Sequence, residues 1–130
     1  MKQKVKYELE FPIHSSPQLL YQYMLTPSGL SEWFADNVNS RGEFYTFMWD
    51  DSEEKAKLAS KKSGEKVKFR WLDEDGNDTE YFFEMKIQVD EITQDVSLIV
   101  TDFSEPEEIH ESKLLWENLI SDLKHVIGSV

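Results

Sequence analysis

The sequence predicts an α+β fold in which a curved antiparallel sheet is closed off by one long C-terminal helix. Short segments between residues 44 and 102 alternate apolar and polar side chains, and turn residues separate these segments. The last stretch, Glu107 to Ile127, instead has the period of an amphipathic helix, about 30 Å long at roughly 1.5 Å per residue. Its apolar face consists of Trp116, Leu119, Ile120, Leu123 and Ile127.

The first predicted element is a strand with one face in water. Val5, Tyr7, Leu9 and Phe11 alternate with lysine and glutamate side chains, which is the period of a half-buried strand. Pro12 ends this strand.

Two short helices are predicted next. Ser16 is a typical N-cap and Pro17 a typical first helical residue, and the helix stops before Thr26-Pro27. The apolar stripe of this helix is Leu19, Leu20, Tyr23 and Met24. A second short helix begins at Ser28-Gly29-Leu30 and ends around Trp33-Phe34.

About six hairpin-linked strands are predicted next, which makes about seven in all, and the segment around Lys55 to Ser60 is the weakest of them. In five of these segments one set of apolar residues shares a face of the predicted strand. These sets are Tyr45, Phe47 and Trp49; Ala56 and Leu58; Val67, Phe69 and Trp71; Tyr81, Phe83, Met85, Ile87 and Val89; and Val96, Leu98 and Val100.

Turn signals connect these strands. Lys62-Ser63-Gly64 and Asp75-Gly76 are hairpin signals, and Thr93-Gln94-Asp95 turns the chain once more. Because the connections are short, we expect sequential strands to be antiparallel neighbours. No repeat, low-complexity tract or linker interrupts the pattern, so we expect residues 1–130 to form a single domain.

Length and composition limit the class of protein. A chain of 130 residues can build one well-formed core but not two, and 39% hydrophobic residues is typical of a globular chain. The net charge of −12 opposes attraction to a phosphate backbone, so we expect no nucleic acid partner.

Cysteine is absent, which excludes disulfides and cysteine-based zinc sites. No secretory signal follows the basic start of the chain, and no stretch approaches the roughly 20 apolar residues of a membrane span. We therefore expect a cytoplasmic protein with no membrane span.

Motifs for catalysis and metal binding are weak. Asp73 to Asp78 looks superficially like a calcium loop, but its glycine stands at the fourth position and its flanks are strands, which favours an acidic hairpin. The three histidines are scattered, and no nucleophile elbow or glycine-rich phosphate loop is present. We predict no catalytic residue, metal or cofactor, although Glu84 or Arg70 could act as an acid or base without leaving a motif.

The strongest remaining signal is a set of large side chains on the face that meets the terminal helix. In one interpretation they fill a core, since large rings bury well. In the other, rings on a strongly curved sheet cannot meet the helix everywhere, so a ligand cavity remains. The expected lining is Leu30, Trp33, Phe34, Phe47, Trp49, Phe69, Trp71, Phe83, Met85, Trp116, Leu119, Ile120 and Leu123.

Several of these residues also carry a resemblance to a known family. They are Pro12-Ile13 to Leu20, Leu25-Thr26-Pro27 followed by Leu30, Trp33 and Phe34, Phe69-Arg70-Trp71, Asp75-Gly76, and Trp116, Leu119 and Leu123. With them, the whole chain resembles the START-like (SRPBCC, birch-pollen-allergen-like) superfamily. Within that superfamily it is similar to the branch of the activator of the large heat-shock chaperone's ATPase.

The resemblance implies a helix-grip fold, in which a seven-stranded antiparallel sheet grips the C-terminal helix. It also implies a hydrophobic cavity for lipids, sterols, polyketides or other apolar molecules, as is common in the superfamily. Some members are cyclases or hydrolases and others are chaperone cofactors. No single catalytic residue runs through the superfamily, so the resemblance assigns none here.

Three functions follow as hypotheses. The leading one is a non-enzymatic domain that binds a small apolar or amphipathic ligand between the sheet and the terminal helix. The second is a protein-interaction module such as a chaperone ATPase regulator. The third is a cyclase-like or hydrolase-like enzyme, which requires a buried ionisable group with a shifted pKa.

Two structural predictions accompany the leading hypothesis. Trp116 should be buried against a ring of Phe69, Trp71 or Phe83. The mouth of a cavity should lie where Leu30, Trp33 and Phe34 meet the terminal helix, because the short helices are held by few residues and are easily displaced.

Overall fold

The alternating segments form a curved, seven-stranded antiparallel sheet with the order β1-β7-β6-β5-β4-β3-β2, which confirms the predicted α+β fold. The structure is a computed structural model that describes residues 3–128. Its elements in chain order are β1 (Val5–Pro12), α1 (Pro17–Leu25), α2 (Pro27–Leu30), β2 (Asn37–Arg41), β3 (Phe44–Trp49), β4 (Ser52–Lys62), β5 (Lys66–Leu72), β6 (Asp78–Val89), β7 (Val96–Ser104), a 3₁₀ turn (Pro106–Glu108) and α3 (Ile109–Ile127).

Helix α1 begins and ends where the capping residues predict. The Ser16 hydroxyl accepts a hydrogen bond from the Leu19 amide at 3.2 Å, and Thr26 caps the next helix by accepting from the Gly29 amide at 3.0 Å. The predicted stripe needs one correction: Leu19 is 41% exposed, and Tyr21 is buried instead. The helix therefore turns the face that contains Leu20, Tyr21 and Met24 toward the core.

Helix α2 is shorter than predicted, because regular helix ends at Leu30 and does not continue to Trp33-Phe34. The amides of Trp33, Phe34 and Ala35 all point at the single carbonyl of Leu30, at 3.4, 2.9 and 3.3 Å, so the chain wraps into a tight turn. Helix α2 also lies very close to α1, since a Cβ added at Gly29 would stand 2.6 Å from the Gln22 carbonyl oxygen.

Strand β2 is the one strand that the alternation pattern does not identify. It is an edge strand with polar residues at most positions, and Val38 is its buried side chain. A single buried residue gives no period of two, so the sequence of β2 does not identify it as a strand. Its place in the sheet is evident only from its pairing with β3.

Strand β4 is longer than its predicted core of Lys55 to Ser60, and its register with β5 shifts between Leu58 and Ser60. Such a bulge breaks the apolar alternation, which explains the weak signal in this segment. The prediction that Val89 belongs to the buried face of β6 is also wrong, because Val89 lies at the end of this strand and is 38% exposed.

The terminal helix begins slightly later than predicted. The 3₁₀ turn at Pro106–Glu108 precedes α3, which starts at Ile109 and ends at Ile127. Gly128 caps the helix in the left-handed conformation, with φ of 74°. Over the described part of the chain, no helix combines the length and the apolar character that membrane crossing requires.

Helix α3 and the short helices bury their apolar residues in one core cluster with one face of the sheet, here called the inner face. Trp116, Ile120 and Leu123 of α3 are buried in that cluster. Residues at alternate positions of the strands lie on the other side, here called the outer face.

Candidate functional site

The inner face carries a layer of aromatic rings contributed by three strands, two of which, β5 and β6, are neighbours. Phe47 of β3 and Phe69 of β5 are 0% exposed, and Phe83 of β6 is 1% exposed. The ring centroids of Phe69 and Phe83 are 5.1 Å apart, and those of Phe47 and Phe69 are 5.7 Å apart. These separations are those of directly packed rings. We call this layer, together with Phe34, the aromatic end of the interface between the sheet and α3.

Phe34 is the hub of the aromatic end. Its ring centroid lies 5.0 Å from that of Phe83 and 5.1 Å from that of Phe47. It also lies within 5.8 Å of the rings of Trp33, Trp49 and Trp116. Phe34 belongs neither to a strand nor to a regular helix, because it stands in the turn that follows α2.

Phe34 lies in the segment of residues 31–36 between α2 and β2, here called the segment that carries Phe34. Two indole hydrogen bonds hold this segment. The Trp33 indole N–H donates to the Tyr23 carbonyl of α1 at 2.9 Å. The Trp49 indole N–H donates to the carbonyl of Phe34 itself at 3.1 Å. In addition, the Asp36 amide donates to the Met48 carbonyl at 3.0 Å, which joins the segment to β3.

The structure gathers the thirteen predicted lining residues into one cluster. Ten are buried: Leu30, Trp33, Phe34, Phe47, Phe69, Phe83, Met85, Trp116, Ile120 and Leu123. Trp49, Trp71 and Leu119 are half-buried and pack against the same cluster. Rings fill the centre, and Trp49 and Trp71 line a surface opening of about 370 Å³ together with Lys4, Glu54, Thr79 and Tyr81.

Trp116 connects the aromatic end to a second, polar region. It is 3% exposed, and its ring centroid lies 6.1 Å from that of Phe83, which confirms the predicted burial and contact. Its indole N–H donates to the Asp102 carboxylate at 2.7 Å. The same side chain therefore packs against rings on one side and donates a hydrogen bond to an acid on the other.

Asp102 belongs to a group of polar side chains between β1, β7 and the start of α3, here called the polar end. Tyr7 and Asp102 are register partners in neighbouring strands, and the Tyr7 hydroxyl is hydrogen-bonded to the hydroxyl of Ser112 on α3. The second carboxylate oxygen of Asp102 accepts from the Phe103 amide at 2.7 Å.

Burial dominates the electrostatics of the polar end. It raises the pKa of Asp102, although the hydrogen bonds from Trp116 and Phe103 and the nearby charge of Lys4 act in the opposite direction. Burial likewise raises the pKa of Tyr7 to about 12. Asp102 is thus a half-buried ionisable group with a raised pKa, close to the feature that the enzyme hypothesis requires.

A groove of about 510 Å³ opens beside the polar end. Ser112 lines both this groove and the polar end, and the rest of the lining includes Lys4, Glu105, Glu108 and Glu111. Since both oxygens of Asp102 already accept hydrogen bonds from protein donors, Asp102 acts here as an acceptor that fixes the Trp116 ring.

A tyrosine pair lies near α1, away from the polar end. The Tyr45 hydroxyl donates to the Leu25 carbonyl at 2.7 Å. The Tyr21 hydroxyl is buried and has no hydrogen-bond partner among the described residues. Burial raises the pKa of both phenols, and Tyr21 adds an electrostatic contribution to the shift of Tyr45.

The sequence did contain a signal for the polar end. Leu98 and Val100 occupy alternate inner-face positions of β7, and continuing that period by one step reaches Asp102. An acid in the apolar register of a strand marks a buried polar group that needs partners. The partners Ser112 and Trp116 come from α3, and no local pattern could assign them.

The residues Asp73 to Asp78 behave as a hairpin turn. The Asp73 carboxylate accepts from the amides of Asp75 and Asn77 at 3.0 and 2.9 Å, a turn geometry typical of aspartate. Across residues 3–128, no group of three or more histidine, aspartate or glutamate side chains is arranged to hold a metal ion.

A curved antiparallel sheet that grips a long C-terminal helix over a ring-filled interior defines the helix-grip class of proteins. The chain belongs to the START-like superfamily, since a model of the START-like superfamily domain matches residues 1–129.

Solved structures extend this assignment. A protein from Bacteroides fragilis, solved by solution NMR, is 35% identical, with a TM-score of 0.66 over 98% of this chain and 93% of that chain. A protein from Mesorhizobium loti is 12% identical, with a TM-score of 0.76 over 95% of this chain and 97% of that one. The Aha1 dimer from Colwellia psychrerythraea is 17% identical, with a TM-score of 0.71 over 92% and 93%. No curated protein matches the chain.

Proposed function

We propose that this START-like domain is a non-enzymatic binding protein, which takes up a small amphipathic molecule between the sheet and α3 when the segment that carries Phe34 moves aside. The observation that supports this proposal most directly is the position of Phe34. Its ring contacts five other rings, yet its backbone lies in a turn rather than in the sheet or in α3.

The way this segment is held supports its role as a movable plug. Helix α2 has four residues, and the turn after it is closed by amides that share one carbonyl acceptor at Leu30. Strands β3, β5 and β6 are each paired with a neighbouring strand on both sides. Displacing the segment breaks few hydrogen bonds, whereas opening the sheet breaks many, so the segment is the low-cost opening.

The surface opening beside Phe34 supports the same entry point. The ring centroids of Trp49 and Phe34 are 5.8 Å apart, and Trp49 lines the opening of about 370 Å³ together with Trp71. The rim of that opening is polar, because Lys4, Glu54 and Thr79 also line it. A molecule with an apolar body and a polar head fits this combination, since the body replaces the Phe34 ring and the head stays at the rim.

The proposal can be tested with three probes of this chemistry: indole, 2-naphthol and lauric acid. The variant Phe34→Leu makes the plug smaller, and Phe44→Leu is the matched control because Phe44 is 50% exposed on the outer face. Thermal unfolding with increasing probe concentration gives the affinity of each protein. Saturation of a binding site a hundredfold above Kd stabilises a fold by about 2.7 kcal/mol.

We expect at least one probe to raise the melting temperature of the wild-type protein in a saturable way. Phe34→Leu should bind that probe more tightly, and Phe44→Leu should bind it as the wild type does. The proposal fails if no probe stabilises the wild type, or if Phe34→Leu and Phe44→Leu respond alike.

A further inference from the structure

The outer face of the sheet concentrates the positive charge of an acidic chain. The chain has fourteen basic residues and a net charge of −12. Nine of the fourteen occupy positions whose register places them on the outer face: Lys6, Arg41, Lys55, Lys57, Lys62, Lys66, Lys68, Arg70 and Lys86. The acidic residues at such positions are fewer: Glu8, Glu10, Glu53, Asp78 and Glu84.

One row of this face runs straight across the sheet and contains one residue from each of the seven strands. In the order of the strands from β1 to β2 it consists of Lys6, Phe103, Phe82, Arg70, Lys57, Phe44 and Arg41. Neighbours in the row are register partners except Phe82 and Phe103, whose ring centroids lie 5.0 Å apart. We call this row the outer ladder. It combines basic and phenylalanine side chains and contains no acidic one.

The rings of the outer ladder lie on the side of the sheet away from the helices, whose buried residues all join the inner core. Phe44 is 50% exposed, and Phe82 and Phe103 are half-buried. The Lys68 ammonium stands 4.1 Å from the centroid of the Phe82 ring. A groove of about 430 Å³ is lined by the Phe82 ring, by Lys6 and Lys68, and by Glu8 and Glu84 of the adjacent row. Apolar rings flanked by cations on a solvent-facing sheet are typical of an interaction surface.

We propose that the outer ladder docks an extended acidic segment of a partner protein, with apolar side chains placed among its carboxylates. Strands lie about 4.8 Å apart, so a row across seven strands is about 29 Å long. An extended chain of about nine residues covers that length at about 3.3 Å per residue. Carboxylates of such a segment meet Lys6, Arg70 and Arg41, since Lys57 already pairs with Asp78 at 3.0 Å. Its apolar side chains meet the phenylalanine rings.

The charge around the outer ladder favours a short protein segment over a polynucleotide. Glu8 and Glu84 occupy the adjacent row, so the favourable strip is only one row wide. A nucleic acid carries phosphates beyond the strip and over a chain whose net charge is −12. A segment that stays within the strip places few charges beyond it, so it meets less of this repulsion than a polynucleotide does.

The test uses fluorescence anisotropy with two labelled probes. One is a peptide of about twelve residues made of glutamate, aspartate, leucine and phenylalanine, and the other is an oligothymidylate of equal net charge. The double variant Lys6→Glu/Arg41→Glu reverses the charge at both ends of the outer ladder. The matched control, Lys62→Glu/Lys86→Glu, makes the same charge change on the same face but outside the ladder. A third variant, Phe44→Ala, removes an exposed ring.

We expect the wild type to bind the peptide, with affinity that falls as salt rises. The ladder variant should lose about tenfold or more in affinity, Phe44→Ala should lose severalfold, and the control variant should stay within about twofold. The proposal is overturned if the wild type does not bind the peptide or binds the oligothymidylate more tightly. It is also overturned if the ladder and control variants weaken binding equally. Because the outer face lies opposite the interior, these outcomes are independent of the probes used for the Phe34 proposal.

Discussion

The two ends of the interface between the sheet and α3 are built from different chemistry. At the aromatic end, rings from three strands pack around Phe34, which comes from a short turn. At the polar end, Tyr7, Asp102 and Ser112 are held by hydrogen bonds between two strands and α3. Directional bonds fix the helix at the polar end, whereas the aromatic end depends on contacts that are not directional. The difference indicates that the aromatic end is the one that can rearrange.

The largest expected effect comes from Trp116, which belongs to both ends. Trp116→Ala removes its ring contacts with Phe34 and Phe83 and its bond to Asp102, so it should lower the free energy of unfolding by about 3–5 kcal/mol. Urea unfolding measures the change. The neighbouring Leu115→Ala is the control, because Leu115 is 59% exposed and should change stability by less than about 0.5 kcal/mol. Similar losses for the two variants would contradict the buried position of Trp116.

Trp116→Phe separates the two roles of this side chain. Much of the ring packing remains, but the Asp102 oxygen loses its indole donor, which stands 2.7 Å away. Leaving a buried acceptor without its partner should cost about 1–3 kcal/mol, less than the alanine substitution does. If urea unfolding gives the same loss for Trp116→Phe and Trp116→Ala, the bond to Asp102 dominates and the ring contacts contribute little.

The pH dependence of stability isolates Asp102. Burial raises its folded-state pKa above the ordinary value of 3.8, so its contribution to stability is complete below about pH 3.8 and is lost as pH rises through the folded pKa. Asp102→Asn cannot ionise and still offers an acceptor to Trp116. Its stability relative to the wild type should therefore increase between about pH 3 and pH 7, as measured by urea unfolding at each pH. Parallel stability curves would show that Asp102 ionises as freely in the folded protein as in the unfolded one.

The smallest effect is expected at the tyrosine pair near α1. Tyr21→Phe removes a buried hydroxyl that has no partner within the described chain, so stability should stay equal or rise by up to about 1 kcal/mol. Tyr45→Phe is the matched change, and it should lose about 1 kcal/mol because the Tyr45 hydroxyl donates to the Leu25 carbonyl. Thermal unfolding of both variants compares them directly. A clear loss for Tyr21→Phe would reveal a partner for that hydroxyl.

The alternation of apolar and polar residues along the chain explains which parts of this molecule could be predicted from the sequence. Phe47, Phe69 and Phe83 follow an apolar alternation, so their shared face was predictable before any long-range contact was known. Strand β2 could not be found in this way, because Val38 is its single buried residue. The bulge after Leu58 interrupts the alternation of β4, so only part of that strand could be predicted.

The candidate site was predictable as a set of residues but not as an arrangement. Trp33 and Phe34 were predicted beside the terminal helix, yet the central position of Phe34 depends on strand register and on the turn at Leu30. The polar end is harder to predict, because the apolar inner-face residues of β7 end at Val100 and the partner Trp116 of Asp102 lies on α3. The outer ladder depends on the register of all seven strands, and single-strand patterns do not contain that information.

Ligand uptake that displaces the segment carrying Phe34 can be followed directly through the indole N–H groups. In ¹⁵N–¹H NMR spectra, Trp33 bonded to Tyr23, Trp49 bonded to Phe34 and Trp116 bonded to Asp102 give separate indole signals. Single tryptophan-to-phenylalanine variants assign these signals without removing several rings at once.

Titration with whichever of indole, 2-naphthol or lauric acid stabilises the protein is the decisive measurement. Displacement of the segment breaks the bonds of Trp33 to Tyr23 and of Trp49 to Phe34, so both signals should shift in a saturable way. Their midpoint should agree with the affinity from thermal unfolding. If the probe stabilises the fold while the Trp33 and Trp49 signals stay in place, the molecule binds elsewhere and Phe34 is a fixed part of the core.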